Sequence, residues 1–503
     1  MSLVLDAAAI LIAPANLALL LGAVFAGIIV GAIPGLTSAV AIGLLIPFTF
    51  TFDANEAFIL LLGIYVGSMY GGSIPAILMN LPGTPTSAVT ASDGYPMTRD
   101  GRGGEAVGVS ILSGAIGGII SCVFMVLLSL QLARIALEFG GPEYFALAVF
   151  AVVVVFSVAS DNVLKGALAA GLGLLLGTIG IDEITPYPRF NFGVSEIMIG
   201  IPIVPATIGL FCVAEAFRMI ESPGRIAAVG GSAFAGIRTA LAKLPSLGVT
   251  IVRSSLIGTF VGILPGAGAT VGSYMAYVTA RARSRHPETF GKGEVEGVAA
   301  SESANNAVTG GALIPLMTLG IPGDINTLLL IGAMLVHGLV PGPQLFSDHL
   351  LLVYVIFGTM ILSNLLIIVF GATMTQVIAR IAQVDKKYLM PIVLVVSITG
   401  PAISYGHIYY FWIAIAFGFL GYVCEKGGYP PLAIAMSLIL GPILEYNLRA
   451  SMMLPNFGPM TMLERPIALF FLVLTALVLA FAIRREIRKR GASRTVAAQD
   501  GAP

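Results

Sequence analysis

The chain has 503 residues, 57% of them hydrophobic and only 10% charged, with 26 lysines and arginines balancing 26 aspartates and glutamates. A soluble protein carries about a quarter charged residues, so this chain cannot cover itself with polar surface, and lipid must be its solvent for much of its length. Zero net charge excludes a basic nucleic-acid-binding surface as its main business.

The first residues, MSLVLDAAAILIAP, carry no basic region, so a cleaved signal peptide is not expected. The apolar run 10–33 is long enough to span roughly 30 Å of hydrocarbon as a helix. It stops at Pro34-Gly35, and residues 17–50 read as a helical hairpin. Segment 56–96, interrupted at Pro82-Gly83, leads to a basic cluster at 99–102. Apolar segments at 106–130, 144–160, 164–180 and 196–217 lead to a second basic stretch, 218–243. A second hairpin, 248–281, turns at Pro265-Gly266, and a basic loop, 281–292, follows it. Segment 293–341 is interrupted at Pro322-Gly323. After it come 351–379, 388–404, 407–424 and 431–447, then a last span, 466–483, and a basic tail. The positive-inside rule puts the basic clusters and the C-terminal tail in the cytoplasm and the N-terminus in the periplasm. A solvated, poorly ordered state is expected of the tail.

Several polar residues read as structural. Asp161 and Lys165 have the i,i+4 spacing of a helix pair; Glu215 near Arg218 and Glu445 near Arg449 read as salt bridges. The three cysteines, Cys122, Cys212 and Cys424, and the four histidines, His286, His337, His349 and His407, are dispersed and lack metal-ligand spacing.

The strongest organisational signal is a duplication. Gly27-x3-Gly31-Ala-Ile-Pro34-Gly35 recurs 231 residues on as Gly258-x3-Gly262-Ile-Leu-Pro265-Gly266. Gly71-Gly72-x-Ile-Pro75, followed by Pro82-Gly83-Thr84, is echoed 240 residues on by Gly310-Gly311-x2-Ile-Pro315 and Pro322-Gly323-Asp324. Counting crossings between the basic clusters makes the first hairpin open outward and the second inward, so the halves are inverted, a common transporter plan. The fold class is therefore an all-α polytopic membrane protein: two inverted-topology repeats with helical hairpins and Pro-Gly-broken helices, plus an extra C-terminal transmembrane helix. The boundaries are 1–220 for repeat 1, 221–247 for a cytoplasmic linker, 248–449 for repeat 2, 450–484 for the last transmembrane helix and 485–503 for a basic cytoplasmic tail.

Four breaks at membrane depth are the candidate site. Proline removes a donor and glycine admits left-handed backbone, so a helix must stop there, and broken backbone in hydrocarbon belongs where it lines a cavity or is buried in protein. Residues suited to capping follow each break. A helix N-terminus turns N–H groups and positive dipole outward and binds anions without a charged side chain. No lysine or arginine lies in any of the four loops. The candidate substrate-binding residues are Pro34, Gly35, Thr37 and Ser38; Asn80, Pro82, Gly83, Thr84 and Thr86; Pro265, Gly266, Gly268 and Thr270; and Asn305, Asn306, Pro322 and Gly323. Asp324, Asn326 and Thr327 are assigned to cation coupling. Glu302 fits a solvated position beside the cytoplasmic loop as well as it fits an intramembrane role. No catalytic residue and no cofactor is assigned; the carbonyls freed at the breaks could ligate a cation such as Na+.

The strings GAIPGLTSAVAIGLLIPFTF (31–50), YGGSIPAILMNLPGTPTSAVTASDGYPM (70–97), GILPGAGATVGSYMAY (262–277), GKGEVEGVAASESANNAVTGGALIPLMTLGIPGD (291–324) and GPILEYNLR (441–449) resemble the large membrane subunit of tripartite tricarboxylate transporters, the TctA type. The resemblance covers essentially the whole chain. It implies a bacterial inner-membrane symporter for carboxylates such as citrate, driven by a sodium or proton gradient. It also implies two partners, a small TctB-like membrane subunit and a periplasmic TctC-like substrate-binding protein. The alternatives are a carrier for another small organic anion, a channel, or an intramembrane enzyme. The last would need a nucleophile with a base or two facing aspartates, which the sequence does not offer.

Overall fold

Hydrocarbon offers no partner to a backbone N–H or carbonyl, so a chain this apolar closes its hydrogen bonds within helices. The structure, a computed structural model, describes residues 2–159, 162–182, 184–221, 233–381, 386–453 and 458–500, and these are almost entirely helical. In chain order the helices begin with α1 (Ser2–Ile12), α2 (Pro14–Ala32), α3 (Ser38–Thr49), α4 (Ala54–Gly71), α5 (Ser73–Met79), α6 (Ser87–Arg99) and α7 (Gly103–Ala136). There follow α8 (Gly141–Val158), α9 (Val163–Gly177), α10 (Ile203–Ile208), α11 (Ala214–Glu221), α12 (Ala233–Ile263), α13 (Gly268–Arg283) and α14 (Val295–Leu319). The remainder are α15 (Ile325–Val336), α16 (Gln344–Asp348), α17 (Leu350–Ile381), α18 (Lys386–Tyr405), α19 (Ile408–Lys426), α20 (Pro431–Met452), α21 (Pro459–Glu464) and α22 (Pro466–Asp500). A two-residue antiparallel ladder pairs β1 (Gly180–Ile181) with β2 (Pro188–Arg189). Among the described residues, eleven helices are long and apolar enough to cross a membrane. The protein is an all-α polytopic membrane protein.

The helices that restart after the four breaks are short. α3, α6, α13 and α15 have 12, 13, 16 and 12 residues, or about 18–24 Å at 1.5 Å per residue, less than the roughly 30 Å of hydrocarbon. The helices before them, α2, α12 and α14, have 19, 31 and 25 residues. Each hairpin therefore pairs a long arm with a short one.

Small residues set the packing of the long arms, as lipid-embedded helices require. A Cβ on Gly27 of α2 would stand 2.6 Å from the Ile64 carbonyl oxygen of α4, and Gly31, Gly67 and Gly71 press equally on the facing backbone. The same seam recurs between α12 and α14, where Gly258, Gly262 and Gly311 meet the backbone at Ala304, Val308 and Thr259. α7 packs on α12 and α14, and α17 packs on α2 and α4. The duplication seen in the sequence is thus a duplication of contacts, with α2, α4 and α17 answering to α12, α14 and α7.

Two compact units divide the chain: Met1–Leu137 with Thr207–Phe419, and Glu138–Ala206 with Leu420–Pro503. Each draws on both sequence halves; in the first, α7 packs on helices of the second repeat and α17 on helices of the first. In the second unit α20 packs on α8 and α9, and α22 packs on α8. There Arg465 pairs with Glu143 at 3.0 Å.

Some local expectations need correction or completion. α12 begins at Ala233, so the later part of the 221–247 linker is helical; residues 222–232 lie outside the described ones. The tail expected to be poorly ordered continues α22 to Asp500, in keeping with a composition of alanine, arginine, lysine and glutamate that favours helix. Asp161 lies outside the described residues, and Lys165 donates to the Gly427 carbonyl at 2.6 Å. The salt bridges Glu215–Arg218 and Glu445–Arg449 are both present.

Candidate functional site

The first break forms because Ile33 leaves the helix in extended conformation and Gly35 takes φ +96°. Thr37 then caps α3 by accepting from the Val40 N–H at 3.3 Å, and buried Ser38 donates to the Met69 sulfur at 3.4 Å. In the second break Asn80 ends α5 in the left-handed region, φ +55°. Gly83 is buried against Gly31 and Gly72 and donates its N–H to the Gly72 carbonyl at 3.2 Å. The Thr84 and Thr86 hydroxyls lie 2.9 Å apart. The first two breaks are therefore one structure, closed by Gly83.

The third and fourth breaks repeat this design. Gly266, at φ +76°, donates its N–H to the Gly323 carbonyl at 2.8 Å, and Gly323 presses on Gly262 and Ala312. Asp324 caps α15. Its Oδ1 accepts from the Thr327 N–H and hydroxyl, both at 2.8 Å, and its Oδ2 from Asn326 at 2.8 Å and Tyr65 at 2.9 Å. Four donors fill this carboxylate. The residues assigned to cation coupling thus act together as a helix cap that a tyrosine of the first repeat holds from across the seam.

The two loop pairs are joined through α4 and α14. Tyr65 reaches Asp324, and Asn305 donates to the Met69 carbonyl at 3.1 Å; Met69 also receives Ser38. Asn305 and Asn306 are buried. The Asn305 Oδ1 and both polar atoms of Asn306 have no hydrogen-bond partner among the described residues. Buried amides of this kind are costly unless something else completes them. Other predicted residues stand apart: Asn80, Pro82 and Thr270 are exposed, while Pro34, Gly35, Thr37 and Gly268 are half-buried. α3 and α15 carry side-chain caps, whereas α6 and α13 begin without one, leaving first-turn N–H groups free of side-chain partners.

The structure moves one residue from the margin to the centre. Glu302 is fully buried in α14, not solvated beside the loop. Its Oε1 accepts from Ser73 at 2.7 Å and from Thr90, and its Oε2 accepts from Ser110 at 3.0 Å. Ser301 lies 2.9 Å from the Thr90 hydroxyl. The spacing Glu302, Asn305, Asn306 puts all three on one helix face, a signal available in the sequence; nothing there marked Ser73, Thr90, Ser110 or Tyr65. Asp93 was also missed. It accepts from the N–H groups of Gly291, Gly293 and Glu294 at 2.8, 3.0 and 2.9 Å and from Tyr277 at 2.8 Å, fastening α6 to the loop before α14.

A second polar place lies in the other unit, a cleft of about 480 Å³ lined by Asp182, Arg189, Glu445 and Arg449. Its charges answer one another: Arg189 meets Glu445 at 2.7 Å, and Arg449 meets both Glu445 at 3.0 Å and Asp182.

Long apolar helices, duplicated glycine seams and buried polar groups where broken helices converge define a multi-pass membrane protein with a polar interior. The family model of the "Tripartite tricarboxylate transporter TctA family" matches residues 17–436, and the chain belongs to that family. It is 35% identical over 477 residues, 95% of each chain, to an uncharacterized 52.8 kDa protein in the TAR-I ttuC' 3' region of Agrobacterium vitis. It is 30% identical over 233 residues to an uncharacterized protein in the TAR-II ttuC' 3' region of the same organism, covering 46% of this chain and 96% of that one. No solved structure matches it significantly.

Proposed function

We propose that the protein is the transporting subunit of a binding-protein-dependent secondary carrier that takes up a carboxylate such as citrate with Na+ or H+ by alternating access. The observation that carries this reading is the convergence of two Gly-closed loop pairs on α4 and α14, beside buried amides that lack partners. Neither lysine nor arginine is among the buried residues described, so the substrate carboxylates are met by N–H groups at uncapped helix starts, hydroxyls and the Asn305 and Asn306 amides. Inversion of the two repeats supplies two alternative closures of similar energy, one facing each side. A small membrane subunit and a periplasmic binding protein complete the system in the inner membrane, with the C-terminus in the cytoplasm.

Counterflow in proteoliposomes tests this reading, with labelled citrate and other carboxylates and with sodium and pH gradients imposed separately. Acceleration of label entry by unlabelled substrate inside is expected of a carrier; its absence for every carboxylate in the panel overturns the proposal, and conduction without saturation favours a channel. Gly83→Leu, Gly266→Leu and Gly323→Leu should each abolish uptake while leaving membrane insertion intact. Normal uptake in all three would remove the site from the loops.

A further inference from the structure

Among the buried acidic groups described, Asp93 and Asp324 are each filled by four donors that include backbone N–H groups, and Glu215 is paired with Arg218. Glu302 differs: its polar partners are the hydroxyls of Ser73, Thr90 and Ser110. An ionised carboxylate buried without a cation is costly, and three hydroxyls offset only part of that cost.

Hydroxyls also form a neutral shell that serves both forms of a carboxyl. Toward the anion each hydroxyl donates; toward the acid, one turns its O–H aside and accepts. A backbone N–H or an arginine cannot reverse in that way. The oxygens stand at hydrogen-bond spacing, 2.7 Å from Ser73 and 3.0 Å from Ser110, and at such distances they share hydrogens. In octahedral coordination with bonds of about 2.3–2.6 Å, neighbouring oxygens would stand roughly 3.3–3.7 Å apart, wider than this hydrogen-bonded shell.

We propose that Glu302 is the residue that takes up and releases the coupling proton. The inference rests on the carrier reading and deepens it. Glu302 belongs to the second repeat, whereas Ser73, Thr90 and Ser110 belong to α5, α6 and α7 of the first, so each protonation change rewrites hydrogen bonds between the repeats. One turn along the same face, Asn305 and Asn306 carry the polar atoms left without partners, which places the proton beside the group that meets substrate. The titratable and charged neighbours are few. Tyr70 of α4 is a neutral phenol that feels a charge on Glu302 and brings none of its own. On α6, Asp93 is turned to Tyr277 of α13 and the loop. On α7, Glu105 is paired with Arg102 and with Lys243 of α12, and Arg253 of α12 stands 3.9 Å from Glu296 at the start of α14.

Two measurements on the full-length chain test this. Infrared difference spectra of the purified protein, taken from acidic to alkaline pH, should contain a titrating carboxylic-acid carbonyl band that Glu302→Gln removes and Glu302→Asp shifts. Absence of a Glu302-dependent band overturns the inference whatever the transport result. In proteoliposomes, Glu302→Gln should lower pH-gradient-driven citrate uptake about tenfold or more, while citrate counterflow persists and loses its pH dependence. Undiminished proton-driven uptake in Glu302→Gln overturns the inference, as does sodium-driven uptake that ignores pH in the wild type. Failure of wild-type counterflow defeats the citrate-carrier reading instead, and the infrared band still decides whether Glu302 titrates. Ser110→Ala separates protonation from folding: it keeps the carboxyl and should move the titration without abolishing it.

Discussion

At the scale of single residues, the buried carboxylates divide by what holds them. Asp324 is filled by Asn326, Thr327 and Tyr65, and it both caps α15 and ties the fourth break to the first repeat. Asp324→Ala should therefore lose about 2–4 kcal/mol from a missing cap and stranded donors, read as a lower midpoint of thermal unfolding in detergent, with Asp324→Asn milder. Asp182, in the loop after β1, is a different case. The Arg449 guanidinium, with the N–H groups of Thr185 and Ile184, holds its carboxyl well below the usual carboxylate range. A depressed value adds stability that is fully present above the unfolded value of about 3.9 and is lost as pH falls through the folded one. Mild acidification should leave this contribution intact. Arg449→Met should raise the pH at which acid destabilises the protein, measured as the unfolding midpoint across an acid series.

At the scale of the element, glycine decides how near two helices come. Gly27 has the Ile64 carbonyl oxygen 2.6 Å from where its Cβ would be, whereas Gly22, on the same helix, has nothing within 4 Å. Gly27→Ala should destabilise by about 1–3 kcal/mol through overpacking, and Gly22→Ala should be neutral or stabilising by about 0.5–1 kcal/mol, since alanine restricts the unfolded chain. Equal unfolding midpoints for the two variants would contradict the α2–α4 seam. The short arms belong to this scale too. At 12 residues, α3 and α15 are each shorter than the roughly 30 Å of hydrocarbon; the break before α15 is buried and that before α3 is half-buried, and polar groups of both repeats gather there.

At the scale of the whole molecule, burial separates the three cysteines. Cys122 and Cys212 are completely buried and Cys424 is partly exposed. Maleimide should label Cys424 in the native, detergent-solubilised protein and reach the other two only after denaturation, checked by mass spectrometry of peptides. Early labelling of Cys122 would contradict the packing of α7 on α14 and α17. The family match, ending at residue 436, includes all four breaks and Glu302 and leaves α21 and α22 outside it.

What the sequence by itself determined follows from local physics. Hydropathy required lipid as solvent and so helices. Pro34, Pro82, Pro265 and Pro322 stopped helices wherever the fold was to place them, and the repeated glycine spacings announced the duplicated seams. Strings such as those at 70–97 and 291–324 carried the family. Tertiary structure decided what depends on neighbours distant in the chain. Glu302 lies next to the basic loop 281–292 in sequence, so its surroundings could be water or protein. Only the packing of α5, α6 and α7 against α14 brings Ser73, Thr90 and Ser110 around it, across as many as 229 residues. The pairing of Gly83 with Gly31 and of Gly323 with Gly262, the Tyr65–Asp324 bond, and compact units that cut across the repeats are likewise products of helices meeting. Periodicity can say that a helix has a polar face; which helix that face meets is set by the packing of the whole.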